Sequence, residues 1–246
     1  MATVSAICTF WNNPYLAVYF KRLYESYWKD EVDELLVCVH GSDKKVNHFI
    51  ADLFPNSRIT AIPLPEMGAA LDYIYPFVKG DILMTIDSDN FITKKGVVKK
   101  HIELMGGEDC IHRFEAIGTA GKSSRPLWIG DEVAKHFGLV RLNSFLSFWD
   151  KKRLDEAPFT FQRMKFKKGE NLFDFTFPDW CSLDTMGYMT LQFMQRGNKI
   201  IQLGRDTIDG SQHIGGLSHE PLGNNRIEIM EKIKKETINE VPKDIR

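Results

Sequence analysis

The sequence lacks the features that mark several classes of protein. Its four cysteines are far apart and form no C-x-x-C pair, which favours buried free thiols in a reducing compartment over a secreted disulfide scaffold. The net charge is −1, so there is no basic field to hold a nucleic-acid backbone. No apolar run reaches the roughly 18–20 residues of a membrane span, and the N-terminal stretch is too short for a signal peptide. We therefore expect a cytoplasmic protein without nucleic-acid partners, and peripheral membrane contact stays open.

The first hundred residues show a regular alternation of strand and helix patterns. Helices are predicted from Pro14 to about Trp28, with Asn13 as the N-cap, and from about Glu66. Four strands are predicted: Val4–Thr9, Glu34–Val39, 58–63 and 81–86. This order indicates a parallel sheet with helices on its faces. Such sheets bind ligands beyond the carboxyl ends of their strands, where this chain has polar residues and turn-formers.

The second half of the chain is less regular. Residues 106–142 contain glycines, charges and a predicted loop at 118–126, and ten of the 36 residues from 145 to 180 are Phe or Trp. Most of these rings are expected in the core, although Trp180 suits an exposed platform for a sugar face. We predict a helix over 182–195, then a strand over 199–203. The tail from 224 is predicted to be an amphipathic helix docked on the core.

Two acids follow the fourth predicted strand. In an extended chain Asp87 and Asp89 would point to the same side, about 6.5 Å apart, with Ser88 turned away. Carboxylates so close repel each other, and they need a cation or a raised pKa to coexist. Magnesium and manganese take oxygen ligands and often share them with substrate phosphates. A D-x-D alone is also compatible with two solvated acids at a strand end.

The stretch Met67-Gly68-Ala69-Ala70-Leu71-Asp72, followed by Lys79-Gly80-Asp81 and the strand into Asp87-Ser88-Asp89-Asn90, resembles the central motif of GT-A glycosyltransferases of the family-two type. The resemblance covers residues 3–105 well and 180–219 more loosely. It implies a Rossmann-like GT-A fold, α/β with a mostly parallel central sheet and helices on both faces.

The resemblance also implies a donor site for a nucleoside-diphosphate sugar. The residues it places there are Thr9, Phe10, Trp11, Asp43, Gly68, Asp72, Asp87, Ser88 and Asp89. Asp87 would face ribose or metal, and Asp89 would bind manganese or magnesium directly. The chain has His40-Gly41-Ser42-Asp43 where the family commonly has an acid-rich turn, so the resemblance does not define the nucleotide.

Two further roles come from the resemblance. Asp184 matches the family's catalytic acid, with Asp179 second, and would take the proton of the acceptor hydroxyl; the alternative is that Asp184 only stabilises the positive end of its own helix. His213 matches a C-terminal histidine that completes the metal site, with His219 as the fallback. Gly215 and Gly216 would suit a loop closing over the diphosphate. Independently of the resemblance, Trp180 is the candidate contact for the acceptor, because an aromatic ring beside Asp179 offers an apolar platform for a sugar face.

The predicted function is metal-dependent transfer of a hexose or deoxyhexose to a hydroxyl acceptor, such as a glycan in polysaccharide biosynthesis. Inversion of the anomeric centre is implied by the resemblance. One catalytic domain over 1–246 is expected, with a donor half at 1–105, an acceptor half at 106–223 and a helical tail at 224–246. The alternatives are a phosphatase of the haloacid-dehalogenase type, which also has a D-x-D, and an inactive module that binds a carbohydrate or nucleotide.

Overall fold

The computed structural model of the protein describes residues 2–60, 63–64, 66–106, 113–121, 124–204, 209–214 and 224–246. The strands are β1 Val4–Phe10, β2 Glu34–Val39, β3 Ser57–Ile59, β4 Ile82–Ile86, β5 Asn90–Ile92, β6 Ala116–Gly121, β7 Ser124–Arg125, β8 Arg141–Asp150, β9 Met164–Phe166, β10 Asn171–Leu172, β11 Phe175–Thr176, β12 Cys181–Leu183, β13 Ile200–Leu203 and β14 Ser211–His213. The α-helices are α1 Pro14–Leu23, α2 Lys44–Leu53, α3 Met67–Ile74, α4 Val97–Leu104, α5 Leu127–Phe137, α6 Lys151–Asp155, α7 Gly187–Gln195 and α8 Asn224–Thr237. A π-helix at Tyr24–Trp28 continues α1, and short 3₁₀ helices lie at Lys29–Glu31, Tyr75–Phe77 and Lys243–Ile245.

The central sheet has seven strands in the order β13-β6-β8-β4-β1-β2-β3. Its pairs are parallel except those of β8, which runs antiparallel to both β4 and β6. The prediction of a mostly parallel α/β sheet is confirmed. All seven residues of β1 are buried, as expected of a parallel strand covered on both faces.

Helices cover both faces of this sheet. On one face, side chains of α1, α2 and α4 pack on alternate residues of β1, such as Ala6 and Cys8. On the other, α3, α6 and α7 pack around Ile7, Leu83 and Trp149. The reversal of side-chain direction along each strand produces these two cores.

The first helix begins as the sequence predicts. The Asn13 side chain accepts a hydrogen bond from the Leu16 amide at 3.0 Å, and Pro14 occupies the first helical position. Together these satisfy an unpaired amide and fix the backbone at the helix start. The helical path continues to Trp28 through the π-helix, which confirms the predicted extent.

Two predictions for the second half were wrong. Residues 118–121, predicted as loop, belong to β6, because they pair with β8 and β13. The helix predicted from residue 182 begins at Gly187, because Cys181–Leu183 forms the middle strand of a small antiparallel sheet between β7 and β9. Helix α5 was not predicted; it lies within residues 106–142, whose sequence pattern is irregular.

The predicted amphipathic helix at the C-terminus is α8, and it docks on the core. Met230 and Ile233 are buried against Leu16 and Phe91. No described helix is both long enough and apolar enough to cross a membrane. Three cysteines (Cys8, Cys38 and Cys181) are buried free thiols, as predicted.

Candidate active site

The two acids after β4 lie in a turn. The Asn90 amide donates to the Asp87 carbonyl at 3.0 Å, and the Asp87 amide donates to the carbonyl of Phe145 at 3.3 Å. The strand alternation assumed from the sequence therefore does not apply to Asp87 and Asp89. Their carboxylates nevertheless converge, as predicted, in a turn that directly follows β4.

His213 is brought to the acids by strand pairing. β14 runs antiparallel to β5, so that His213 lies opposite Asn90, and the Ile214 amide donates to the Asp89 carbonyl at 3.1 Å. The imidazole stacks on the Phe145 ring at 4.2 Å between centroids and 10° between planes. Its Nε2 lies 3.3 Å from Asp89 Oδ1 and 3.7 Å from Asp87 Oδ2.

Burial disfavours the presence of two negative charges in this cluster. Burial and then the charge of Asp89 raise the pKa of Asp87 to about 7, against the opposing effects of His213, the Ser144 hydroxyl and Arg141. Burial and both carboxylates also raise the pKa of the Cys8 thiol. A cation at this position would relieve the repulsion between the acids.

The donor set fits a divalent cation. One ligand atom from each of Asp87, Asp89 and His213 lies within 4.8 Å of the others. Two carboxylate oxygens and one imidazole nitrogen suit manganese, and the oxygens suit magnesium. No second cluster of three such side chains was found among the described residues. His219, the fallback ligand, and the predicted loop glycines Gly215 and Gly216 lie outside the described residues.

The loops after β1 and β2 form the next part of the same edge. The Asn12 side chain donates to the Ser42 hydroxyl at 2.9 Å and accepts from the Asp43 amide at 3.1 Å, which ties the two loops together. Trp11 is partly exposed and lies 5.2 Å from the buried His40 ring. Asp43 caps α2 through Oδ1.

The predicted donor residues differ in how accessible they are. The Phe10 ring is buried between Phe20 and Phe54, so its side chain belongs to the core. Thr9 and Ser88 are also buried. Trp11 and Asp43 are therefore the more accessible of the predicted donor side chains in these strand-end loops.

Gly68 and Asp72 on α3 hold the segment that enters β9. The Asp72 carboxylate accepts from the Phe161 amide at 2.8 Å, from the Thr160 hydroxyl at 2.6 Å and from the Gln162 amide group at 2.8 Å. A Cβ added at Gly68 would lie 2.6 Å from the backbone of residues 161–162. These contacts give both residues a structural role, and their predicted contact with the nucleotide stays a prediction.

Asp184 follows β12 and faces two arginines. Its Oδ1 lies 3.1 Å from the Arg163 guanidinium, and its Oδ2 lies 3.6 Å from Arg141. Because α7 begins three residues later, at Gly187, these ion pairs and the Thr185 amide at 2.9 Å take the place of the expected helix-end contact. Asp179 is exposed and accepts from the Trp180 amide at 2.7 Å.

Four residues of this region escaped the sequence analysis. Arg141, Ser144 and Phe145 lie on β8, and Arg163 immediately precedes β9. The three β8 residues reach the site because β8 inserts antiparallel between β4 and β6, and Arg163 reaches it because β9 pairs with β12. No local sequence pattern predicts this insertion, because it depends on pairing between strands more than 50 residues apart in sequence.

Similar solved structures identify the fold in which this cluster of side chains lies. No protein-family model matches the sequence, and no curated protein matches it. The mannosyltransferase PcManGT from Pyrobaculum calidifontis, in complex with GDP-mannose and Mn²⁺, superposes with a TM-score of 0.52 over 82% of this chain, at 13% sequence identity. Glucosyl-3-phosphoglycerate synthase from Mycobacterium tuberculosis, with Mn²⁺ and UDP-glucose, superposes with a TM-score of 0.52 over 96% of this chain, at 16% identity.

The chain has the GT-A fold. It spans 55% of the length of the mannosyltransferase and 77% of the synthase. A second complex of the synthase, with phosphoglyceric acid, gives a TM-score of 0.53. In a GT-A fold, the cluster of Asp87, Asp89 and His213 lies at the carboxyl ends of the parallel strands, where α/β sheets bind their ligands.

Proposed function

We propose that this chain is a glycosyltransferase that moves a sugar from a nucleoside-diphosphate sugar to a hydroxyl acceptor and requires a divalent metal. The observation that carries the proposal is the convergence of Asp87, Asp89 and His213 in a GT-A fold. The raised pKa of Asp87 supports it, because burial and the neighbouring charge of Asp89 disfavour the ionised carboxylate, and a cation at this position would favour it.

On the donor side, Asp87, Asp89 and His213 would hold manganese or magnesium. When bound, the metal offsets the charge that accumulates on the departing nucleoside diphosphate. Asn90 braces the turn by donating to the Phe145 carbonyl at 2.7 Å and accepting from the Ser211 hydroxyl at 3.0 Å. Trp11 and Asp43, on the tied loops, would contact the nucleoside.

On the acceptor side, Asp184 would act as the general base. Its carboxylate takes the proton of the acceptor hydroxyl, whose oxygen attacks the anomeric carbon. The bond from that carbon to the diphosphate oxygen breaks, and its electron pair leaves with the nucleoside diphosphate. The ion pairs with Arg163 and Arg141 hold the carboxylate in one orientation, and a positioned base contributes about 10²–10⁴-fold to the rate. Asp179 is the second candidate base.

Finer features of the reaction belong to the same proposal. The transferred group is a hexose or deoxyhexose, and attack in line inverts the anomeric centre. Trp180, with 46% of its surface exposed, offers a flat apolar face for the acceptor. The buried free thiols support a cytoplasmic location.

Calorimetry with UDP and GDP, with and without Mn²⁺, tests the donor site. We expect binding that depends on Mn²⁺ and is lost in Asp89→Ala, with Asp52→Ala, an exposed acid on α2, as the matched control. Metal-independent binding, or binding unchanged in Asp89→Ala, would contradict the proposal.

A panel of sugar nucleotides incubated with Mn²⁺ then separates the alternatives by product. Slow release of free sugar and nucleoside diphosphate from the sugar nucleotides indicates a transferase, whereas release of inorganic phosphate from a phosphate monoester assayed in parallel indicates the phosphatase. Asp184→Asn should bind donor normally and lose transfer. An inactive binding module would show no turnover before or after this change.

A further inference from the structure

The small sheet β7-β12-β9 presents one outer face beside Asp184. In its register, Ser182 lies opposite both Arg125 on β7 and Lys165 on β9. Directly opposed residues in antiparallel strands point to the same face. Arg163 precedes Lys165 by two residues and pairs with Asp184, which follows Ser182 by two. We call this set of Arg125, Arg163, Lys165, Ser182 and Asp184 the basic face.

The basic face carries an excess of positive charge. Arg125 and Lys165 are exposed, and neither forms an ion pair with any residue that the structure describes. Asp184 neutralises one charge through Arg163, so two cations remain uncompensated within the set. Arg141, on the far side of Asp184, extends the positive field toward Asp87, since it lowers the pKa of that acid.

Ser182 adds a second and independent observation. It is only 6% exposed, and its hydroxyl oxygen has no hydrogen-bond partner among the described residues. A buried hydroxyl without a partner costs free energy, and such groups in native proteins call for an explanation. An oxyanion seated between Arg125 and Lys165 could accept a hydrogen bond from this hydroxyl after a small movement of the flexible cations that flank it.

Helix α3 fixes the position of the segment that leads into the basic face. Asp72 and Gly68 fix residues 160–162, and Arg163 and Lys165 follow directly in the chain. Trp180 immediately precedes β12 and Asp184 immediately follows it, so the two residues lie at opposite ends of this strand; Trp180 is exposed. An acceptor lying along β12 would thus meet an aromatic ring, then cations, then the candidate base.

We propose that the basic face is the acceptor subsite and that it selects a hydroxyl compound carrying an oxyanion, a phosphate or carboxylate group. Arg125 and Lys165 would bind the oxyanion, leaving the acceptor hydroxyl at Asp184. This assignment deepens the proposed function, because it names the acceptor class for the same reaction. Guanidinium and ammonium groups give the charge-assisted hydrogen bonds that recognise such anions.

Calorimetry with glycerol 3-phosphate and with inorganic phosphate, in the absence of donor and metal, tests the subsite separately from the transferase chemistry. We expect both to bind the native chain and glycerol to bind undetectably. The double variant Arg125→Gln/Lys165→Gln should weaken phosphate binding at least about tenfold, as expected for the loss of charge-assisted bonds. The control Lys152→Gln/Lys235→Gln removes two exposed positive charges from α6 and α8 and should leave binding unchanged. Glycerate in place of the phosphate ester shows whether a carboxylate suffices.

A transfer assay with matched acceptors, glucose against glucose 6-phosphate, gives the second readout. The double variant should raise the KM for the charged acceptor and leave the KM for the donor unchanged. Equal phosphate binding by both double variants would overturn the subsite, as would equal use of charged and neutral acceptors. Binding to phosphatidylglycerol vesicles without binding to glycerol 3-phosphate would reassign the basic face to a membrane surface and also overturn the proposal. Normal phosphate binding with no Mn²⁺-dependent nucleotide binding would instead contradict the proposed function and leave the anion site standing.

Discussion

Asp87 has a protonation equilibrium that connects the candidate metal site to the stability of the fold. Its pKa is about 7 in the folded chain against an ordinary value of 3.8. Because the folded state then binds more protons than the unfolded state between these values, the free energy of unfolding falls as pH rises from about 4 to about 7. The loss is complete above pH 7, with an upper limit of about 4 kcal/mol.

Asp87→Asn should remove this loss in the metal-free protein. We expect the variant to be more stable than the native chain by about 1–3 kcal/mol at pH 8 and nearly equal to it at pH 4, because the neutral amide removes the cost of burying a charged carboxylate and the repulsion with Asp89. Urea unfolding in the presence of a chelator measures both values. Adding Mn²⁺ should stabilise the native chain and not the variant.

Asp52→Asn is the control for the pH effect, since it removes an exposed acid on α2. It should leave the pH dependence of unfolding unchanged. Equal pH profiles for native chain and Asp87→Asn would mean that the raised pKa of Asp87 is absent in solution.

At the scale of elements, α3 links the strands β1 and β2 to the segment that leads into the basic face. Gly68→Ala would drive a methyl group to 2.6 Å from the backbone of residues 161–162, closer than real contacts allow. We expect a loss of about 1–3 kcal/mol in the free energy of unfolding, as for other overpacked sites. Urea unfolding measures it.

Ala69→Ser is the matched substitution, one residue along α3 at a half-buried position. It should cost less than about 1 kcal/mol, as surface changes usually do. If Gly68→Ala were equally mild, the close packing of α3 on this segment would be wrong.

In the first half, β1, β2, β4, α1 and α3 were predictable because their signals are local. The helices α2 and α4 were not predicted, and the third strand, predicted over 58–63, ends at Ile59. Asn13 and Pro14 mark a helix start, and the apolar strands before His40 and Asp87 each end in polar turns. The bounds of β2 match the prediction residue for residue. By contrast, β12 could not be told from the first turn of a helix, since Cys181–Leu183 becomes a strand only through its pairing with β7 and β9.

The residues of the candidate site divide in the same way, into those with a local sequence signature and those positioned only by long-range strand pairing. Asp87 and Asp89 were found because an acid pair after a buried strand has a local signature, and His213 was found by resemblance alone. Arg141 and Arg163 have no such signature. They meet Asp184 only because β8 and β9 return from distant parts of the chain, a tertiary relation that one sequence does not reveal.

At the scale of the whole molecule, α8 closes the core next to the strand pair that carries His213. Ile233 is 2% exposed and packs in the cluster that contains Phe91 of β5. Ile233→Ala should therefore cost about 2–4 kcal/mol in the free energy of unfolding. Ile227→Ala, at a position on the same helix that is 41% exposed, should cost less than about 1 kcal/mol. Equal effects of the two changes would mean that α8 is not docked as described.

The central sheet joins both halves of the chain, because β8, β6 and β13 extend the edge begun by β4. The candidate metal cluster lies at this junction, because Asp87 and Asp89 follow β4 and His213 comes from the second half of the chain. The predicted division into a donor half at 1–105 and an acceptor half at 106–223 stays a prediction.

The most direct test of the account is diffraction from crystals soaked with UDP and Mn²⁺, measured for the anomalous signal of manganese. We predict one peak within about 2.5 Å of ligand atoms of Asp87, Asp89 and His213, in contact with the diphosphate. A nucleotide bound elsewhere, or a manganese ion remote from these three side chains, would contradict the central claim.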